Sequence, residues 1–266
     1  MQRPDKSNTS RRFYQRILFS TLFGVVFSVG LFGQLPPPDR NNQGSVLTAD
    51  FGVGGALPQA DLAERFGSVG TFSLGLDYLT ANDWIVGAEF MFFYGGKVKE
   101  NVLAPLFDEN GFLYGDNLAP AFVAYRARGQ YYGGRIGRLF QLGPDNTRSG
   151  IRVVLGAGLL QHKIRIQEDP TSVVPQFTGA YAGGYDRLTN GLALQQHIGY
   201  QYMAANRRAN FYLGLDFYEG FTQSRRNVDF DSIQSDDRSR FDVLTGIRAA
   251  WILPFYAGKK ANEIYY

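Results

Sequence analysis

Hydrophobic and polar positions alternate with a period of two along most of this chain. Such alternation places successive side chains on opposite faces of a β-strand. In each alternating stretch one face is apolar and the other carries Gly, Gln, Asp, Glu, Arg or His. The stretches are 46–57, 68–79, 84–94, part of 121–140, 149–162, 188–203, 210–222 and 240–255. The pattern predicts an all-β protein of about eight antiparallel strands, to within about two.

The length of these stretches is unusual for a soluble protein. Most exceed the roughly 5–6 residues of an ordinary strand and reach the roughly 9–11 that cross a bilayer at a tilt. In a soluble sandwich the apolar faces pack together, whereas in a membrane barrel they meet lipid and the polar faces fill the interior. Alternation by itself leaves both architectures open.

The connections between the stretches alternate in length. Long segments are expected at 95–120, 163–187 and 223–239, and 58–67 is intermediate. The short connections, rich in Asn, Asp, Gly and Pro, are 80–83, 141–148 and 204–209. Outer-membrane barrels have short periplasmic turns and longer outer loops. The alternation therefore favours a closed, antiparallel, up-and-down transmembrane β-barrel whose N-terminus lies on the periplasmic side.

Aromatic residues gather near the ends of the predicted strands. Tyr and Trp prefer the membrane interface, because the ring is apolar and its polar tip can hydrogen-bond. We therefore predict an aromatic girdle, with the core of a soluble sandwich as the alternative. Its members are Tyr78, Trp84, Tyr94, Tyr200, Tyr202, Trp251, Phe255 and Tyr256.

The predicted inner face carries charges of both signs. An unpaired buried charge is costly, so a narrow closed interior should pair them, and glycines on the same face leave room for arginine side chains. The alternative is the solvated surface of a soluble sheet. The predicted interior network contains Asp50, Asp77, Glu89, Arg135, Arg152, Asp216, Asp242 and Arg248.

The N-terminal segment has the layout of a secretory signal peptide. Arg11, Arg12 and Arg16 precede the uncharged apolar stretch 17–32, which is shorter than the roughly 20 residues of a membrane-spanning helix. Because of this signal peptide, we expect the protein to be exported across the inner membrane of a Gram-negative cell. An uncleaved anchor is the alternative.

Cleavage of this signal is expected after Gly33 or after Gly30. The chain then divides into a signal peptide at 1–33, a polar linker at 34–45, the barrel at 46–256 and a C-terminal tail at 257–266.

Composition excludes several classes of function. The 266 residues include no cysteine, which rules out disulfides, thiolate metal sites, a cysteine nucleophile and a lipoprotein anchor. A net charge of +3, from 27 basic and 24 acidic residues, is too even to indicate nucleic-acid binding. The histidines His162 and His197 are both predicted to face inward, and no serine lies at a spacing that suggests a hydrolase. We predict no catalytic residue, metal site or cofactor.

The sequence resembles the small outer-membrane β-barrel proteins, in the OmpA-transmembrane-domain-like and Bacteroidota porin-like groups. The resemblance is carried by the signal segment followed by Gln34, the paired strands 46–57 and 68–79, and the aromatic-rich closing strand 241–256. It implies an outer-membrane location and recognition of the last strand by the barrel-insertion machinery. Unlike the family pattern, 257–263 separates that strand from the terminal Tyr265 and Tyr266.

The predicted function is a structural or accessory, anchoring role without enzymatic activity. The interior of an eight-stranded barrel is just wide enough for side chains, so function should lie in the outer loops or at the periplasmic rim. The apolar content of 95–120 suggests a packed cap or a contact with a partner. Expected partners are outer-membrane lipid, the insertion machinery and another envelope protein. The alternatives are narrow transport of small or apolar solutes, a barrel-embedded lipid-modifying enzyme, and a soluble periplasmic sandwich.

Overall fold

The computed structural model describes residues 44–142, 148–168, 173–177, 181–204 and 209–255. All of them belong to the second of two compact units, which spans 40–266. The predicted signal peptide, nearly all of the linker, Tyr256 and the C-terminal tail lie outside the described residues.

Eight antiparallel strands form a closed barrel in which each strand pairs with the next and the last pairs with the first. This confirms the predicted fold class. The strands are β1 (Val46–Gln59), β2 (Val69–Leu79), β3 (Trp84–Gly95), β4 (Val123–Gln141), β5 (Gly150–Glu168), β6 (Thr189–Met203), β7 (Asn210–Ser224) and β8 (Ser239–Phe255). A short helix, α1 (Ala60–Arg65), follows β1, and single 3₁₀ turns lie at Ala104–Leu106, Pro175–Phe177 and Tyr181–Gly184.

Several boundaries differ from the sequence-based expectation, and two of them affect the outer end of the barrel. The segment 163–168, predicted as the start of a loop, continues β5, because it pairs in register with the first residues of β4. The intermediate connection 58–67 is shorter than predicted and contains α1. β4 and β5 thus form a hairpin of two 19-residue strands that extends farther toward the long loops than its neighbours do.

The short turns all lie at one end of the barrel and the long connections at the other. The tightest turn follows β2, where Thr80 donates its backbone N–H to the carbonyl of Trp84 over 2.8 Å. Asp83 completes it with φ of 64°, a left-handed conformation that Asp tolerates better than most residues. The long-loop end corresponds to the outer side of a bacterial barrel.

The two faces of the barrel are inverted relative to a soluble protein. Ile198, Leu215 and Ile247 are neighbours in register on β6, β7 and β8, and each points outward about half exposed. On the inner face, Arg135 is only 4% exposed and Asp77 only 1%. The apolar outer surface is therefore the lipid-facing one.

An apolar cluster closes the long-loop end of the interior. Leu62 and Phe66, in and after α1, pack with Phe93 of β3 and with Val102 and Leu103 of the following loop. All five side chains are buried. The part of the chain that the structure describes contains no helix long and apolar enough to cross a membrane.

Candidate functional site

Arg135 is the centre of an ion network in the middle of the barrel. Its guanidinium lies 2.6 Å from a carboxylate oxygen of Asp50 and 2.7 Å from one of Asp77, and it also pairs with Glu89. Arg152 reaches the other oxygen of Asp77 over 2.5 Å. The five residues come from five consecutive strands, β1 to β5, so the network ties most of the barrel wall together.

Arg248 forms the second centre, from the opposite wall. It lies 3.0 Å from Glu89 and 2.9 Å from Asp216. Its guanidinium also lies 2.7 Å from Nδ1 of His197, which in turn contacts Asp216. Glu89 accepts a further hydrogen bond of 2.6 Å from the Tyr218 hydroxyl, so this carboxylate joins the two centres.

Seven of the eight residues predicted for the interior network lie in this one cluster, and Asp242 does not. The seven are Asp50, Asp77, Glu89, Arg135, Arg152, Asp216 and Arg248. Sequence analysis missed Tyr218 and Gln195, which donate to Glu89. Their inward position in the alternation was the available signal, but alternation does not reveal partners on other strands.

Asp242 belongs to a separate group nearer the outer end. His162 Nε2 lies 2.8 Å from its carboxylate, which also accepts a hydrogen bond from Thr222. The Phe66 ring stacks edge-on against His162 at 5.8 Å. The carboxylate lies between the histidine and the hydroxyl, whereas in a hydrolase triad the histidine contacts the hydroxyl itself. Among the described residues, no three His, Asp or Glu side chains are grouped to hold a metal ion.

The interior is filled by these side chains. The lumen cavity lined by Ser73, Met91 and Arg248 measures about 10 Å³, room for about one water molecule. Glycines provide the space for the arginines, since a Cβ on Gly52 would lie 2.7 Å from Cδ of Arg248. One on Gly75 would overlap Arg135 and Asp50.

Ion pairs also fix the outer loops to the barrel rim. Arg65, at the end of α1, donates to the Thr189 hydroxyl over 2.9 Å and to Glu100 over 3.1 Å. Arg187 pairs with Asp231 at 2.6 Å and with Asp229. The loops that precede β4, β6 and β8 are thus cross-linked to one another.

Asp236, in the loop before β8, is held in its charged form. Burial raises its pKa, but hydrogen bonds from Arg240 and Arg238 outweigh that effect and lower the pKa to about 2. The carboxylate therefore stays ionised throughout the neutral and mildly acidic range, and it keeps the loop attached to the first residues of β8.

Seven residues of the predicted aromatic girdle point outward and are between 43% and 53% exposed. Six lie toward the short-turn end: Tyr78, Trp84, Tyr200, Tyr202, Trp251 and Phe255. Tyr94 alone lies toward the long-loop end, and Tyr256 is outside the described residues. The outer edge of the apolar belt therefore depends on residues that the sequence analysis did not single out, such as Tyr132 and Phe241.

The loop between β3 and β4 exposes an apolar tip. An isolated bridge between Tyr114 and Pro120 makes it a small hairpin, and Asp116 donates its backbone N–H to the carbonyl of Val173 in the neighbouring loop. Leu118 is 83% exposed and Phe122 is 77% exposed. Leu118 also has φ of 59°, a left-handed conformation that costs energy for a residue with a Cβ.

No protein-family model matches the chain. No curated protein matches its sequence. Similar solved structures are small barrels that the chain covers almost completely. Ail, the attachment invasion locus protein of Yersinia pestis, in complex with the heparin analogue sucrose octasulfate, is 14% identical over 79% of this chain and 99% of that one, with a TM-score of 0.38. Neisserial surface protein A is 11% identical over 80% and 100%, with a TM-score of 0.41. The outer-membrane protein AlkL is 10% identical over 86% and 99%, with a TM-score of 0.33.

Membrane insertion follows from the two faces of the chain itself. A closed ring of strands satisfies its own backbone hydrogen bonds, which is the condition for a sheet to cross hydrocarbon. The outward side chains form an apolar belt edged by aromatics, and the inward charges are paired. Short turns at one end and long loops at the other complete the features of bacterial barrels. The chain is therefore a small, eight-stranded outer-membrane β-barrel protein.

Proposed function

We propose that this protein is a non-conducting, non-enzymatic barrel with a structural or accessory role, acting through its outer loops. The observation that carries the proposal is the filled interior. Arg135 and Arg248 reach from opposite walls to the same carboxylate, Glu89, and the apolar cluster around Phe66 lies above them. A solute would have to break both layers to pass.

The exposed apolar hairpin between β3 and β4 is the proposed contact surface for another envelope protein. Apolar side chains as exposed as Leu118 and Phe122 are unusual outside the lipid-facing belt, and such groups commonly mark interaction sites. The ion pairs around Arg65 and Arg187 hold the surrounding loops in place, which lowers the entropy lost on binding. Recognition of β8 by the insertion machinery stays a prediction.

Conductance separates this role from narrow transport. The wild-type protein, inserted into planar bilayers, should give no conductance above that of a protein-free bilayer, and liposomes that contain it should not swell in small sugars. Slower migration of the unheated sample on a gel would establish that the barrel is folded. Clear permeability of a folded sample would contradict the proposal and favour the transport alternative.

Crosslinking in the intact cell tests the contact surface. A photoreactive residue placed at Leu118 or Phe122 should form a discrete crosslinked product with one protein. The same residue at Ile233, which is equally exposed but lies in the loop before β8, serves as the matched control. If the hairpin positions give no product while the protein is folded in the membrane, the proposed contact is wrong.

A further inference from the structure

Four basic side chains face outward on the β4–β5 hairpin, just beyond the lipid-facing belt. We call Arg126, Arg128, Lys163 and Arg165 the basic patch. In the register of the two strands Arg126 lies directly opposite Arg165, and Arg128 directly opposite Lys163. Like charges in directly opposite positions of a strand pair destabilise the sheet. An anion bound between the two pairs would offset this repulsion.

The acidic residues of the described chain provide little of that compensation. Asp186 lies 3.7 Å from Lys163, and that is the one ion pair between a described carboxylate and the basic patch. The same carboxylate also binds Arg226 at 2.6 Å. Arg128 instead places its guanidinium over the ring of Phe92, at 5.9 Å from the ring centre. The basic patch thus carries an excess of positive charge on an exposed surface.

Among the paired strands of the barrel, cations lie directly opposite one another only between β4 and β5. In the register of the barrel, Gln161 lies opposite Asn190, and that row continues through Gln223 and Ser239, so it is neutral. At the next level outward Arg225 follows β7, but it donates a hydrogen bond to the side-chain oxygen of Asn190. A uniform ring of cations would attract a barrel to any anionic membrane surface. A single cluster on two adjacent strands indicates instead one localised ligand.

The position of the patch relative to the belt identifies the chemistry of that ligand. Below the basic patch Gln130 pairs with Gln161, and the next outward pair is Tyr132 with Leu159, which belong to the apolar belt. A depression of about 370 Å³ lined by Phe92, Arg128, Gln130, Gln161, Lys163 and Arg165 lies at this boundary. A lipid whose acyl chains lay along the belt would hold its headgroup in this depression.

We propose that the basic patch binds the phosphorylated headgroup of a lipid in the outer leaflet. Arg and Lys side chains provide charge-assisted hydrogen bonds to phosphate oxygens. The pair Arg126–Arg165 lies two residues along the strands from the pair Arg128–Lys163, so the patch can contact more than one phosphate group. Outward-facing glutamines beside them supply neutral donors for sugar or ester oxygens. The bound lipid would cover the β4–β5 face of the barrel in the membrane.

Native mass spectrometry of the full-length protein, released from mixed micelles, tests the proposal. The probes are diphosphorylated lipid A, the same glycolipid without its phosphates, and phosphatidylcholine. The wild-type protein should retain the phosphorylated glycolipid in preference to both others. The double variant Arg128→Gln/Arg165→Gln should lose about thirtyfold in affinity for it, because each basic residue near an anionic surface strengthens binding by roughly fivefold.

The double variant Lys97→Gln/Arg138→Gln is the matched control, since it removes the same charge from positions outside the patch. It should bind the phosphorylated glycolipid like the wild type, and gel migration of unheated samples checks that all variants are folded. Equal binding by the patch variant and the wild type would overturn the proposal, as would equal retention of the dephosphorylated glycolipid. If inorganic pyrophosphate at an equal concentration fully displaced the lipid, the ligand of the basic patch would be a free phosphate and not a lipid headgroup.

Discussion

At the scale of single residues, Arg135 has the largest effect on the interior. Its guanidinium pairs with Asp50, Asp77 and Glu89, which come from three different strands. Removing one partner of a buried ion pair leaves an uncompensated charge, which costs far more than the pair itself contributes. Here one substitution would leave Asp50 without an arginine and weaken the pairing of two more carboxylates.

Replacing this side chain should therefore lower stability strongly. We expect Arg135→Met to reduce the free energy of unfolding by about 3–5 kcal/mol, measured by urea titration in lipid vesicles. Arg138→Met is the matched control, because Arg138 points outward and lies over the ring of Trp84 at 5.6 Å. If the two variants unfolded at the same urea concentration, the interior network would not be the dry, closed cluster described above.

At the scale of strands, glycines on the inner face set how closely the strands and their charged side chains approach. Gly87 of β3 faces inward beside Asp77, and a Cβ there would lie 2.8 Å from Cα of Asp77 and closer still to the carbonyl of Leu76. These are backbone atoms of β2, which cannot move without disturbing the sheet. Gly134 of β4 faces outward, and a Cβ there would meet only the carbonyl of Gly87, at 3.9 Å.

The two glycines should thus respond differently to the same change. Gly87→Ala should destabilise the barrel by about 1–3 kcal/mol, as expected for overpacking in a filled interior. Gly134→Ala should change stability by no more than about 0.5 kcal/mol, since it adds one methyl group to the lipid-facing surface. Urea unfolding in vesicles measures both. Similar losses at the two positions would show that backbone freedom, and not space, decides the requirement for glycine.

At the scale of the whole molecule, the solvent around the barrel decides which face is outside. The row Ile198, Leu215 and Ile247 lies midway along three adjacent strands. In water this surface would drive aggregation, whereas in hydrocarbon it needs no cover. The cost of placing a charge on it should therefore depend on depth.

A charge placed at the centre of the belt tests this geometry. Leu215→Arg should lower the free energy of unfolding in lipid vesicles by about 2–4 kcal/mol, and Tyr202→Arg, near the short turns, by about 0–1 kcal/mol. Leu215 is 47% exposed and Tyr202 is also 47% exposed, so exposure alone would predict equal effects. Equal losses would contradict a bilayer centred on this row.

The sequence by itself determined the elements of the barrel, their approximate number, and which residues share a face. Those properties follow from the order of neighbouring residues, because a strand alternates its side chains wherever it lies. The alternation of short and long connections likewise follows from local composition. This is why the inward orientation of Arg135, His197 and Asp242 could be predicted without knowledge of their partners.

The tertiary structure decided which of those residues meet. Arg135 and Asp50 are 85 positions apart in sequence, and Asp242 joins His162 and Thr222 and not the central network. The extension of β5 through 163–168, and with it the basic patch, exists only because β4 pairs with those residues. Closure of the ring sets register, and register sets which charges lie within reach of one another; neither is encoded in the periodicity of any single strand.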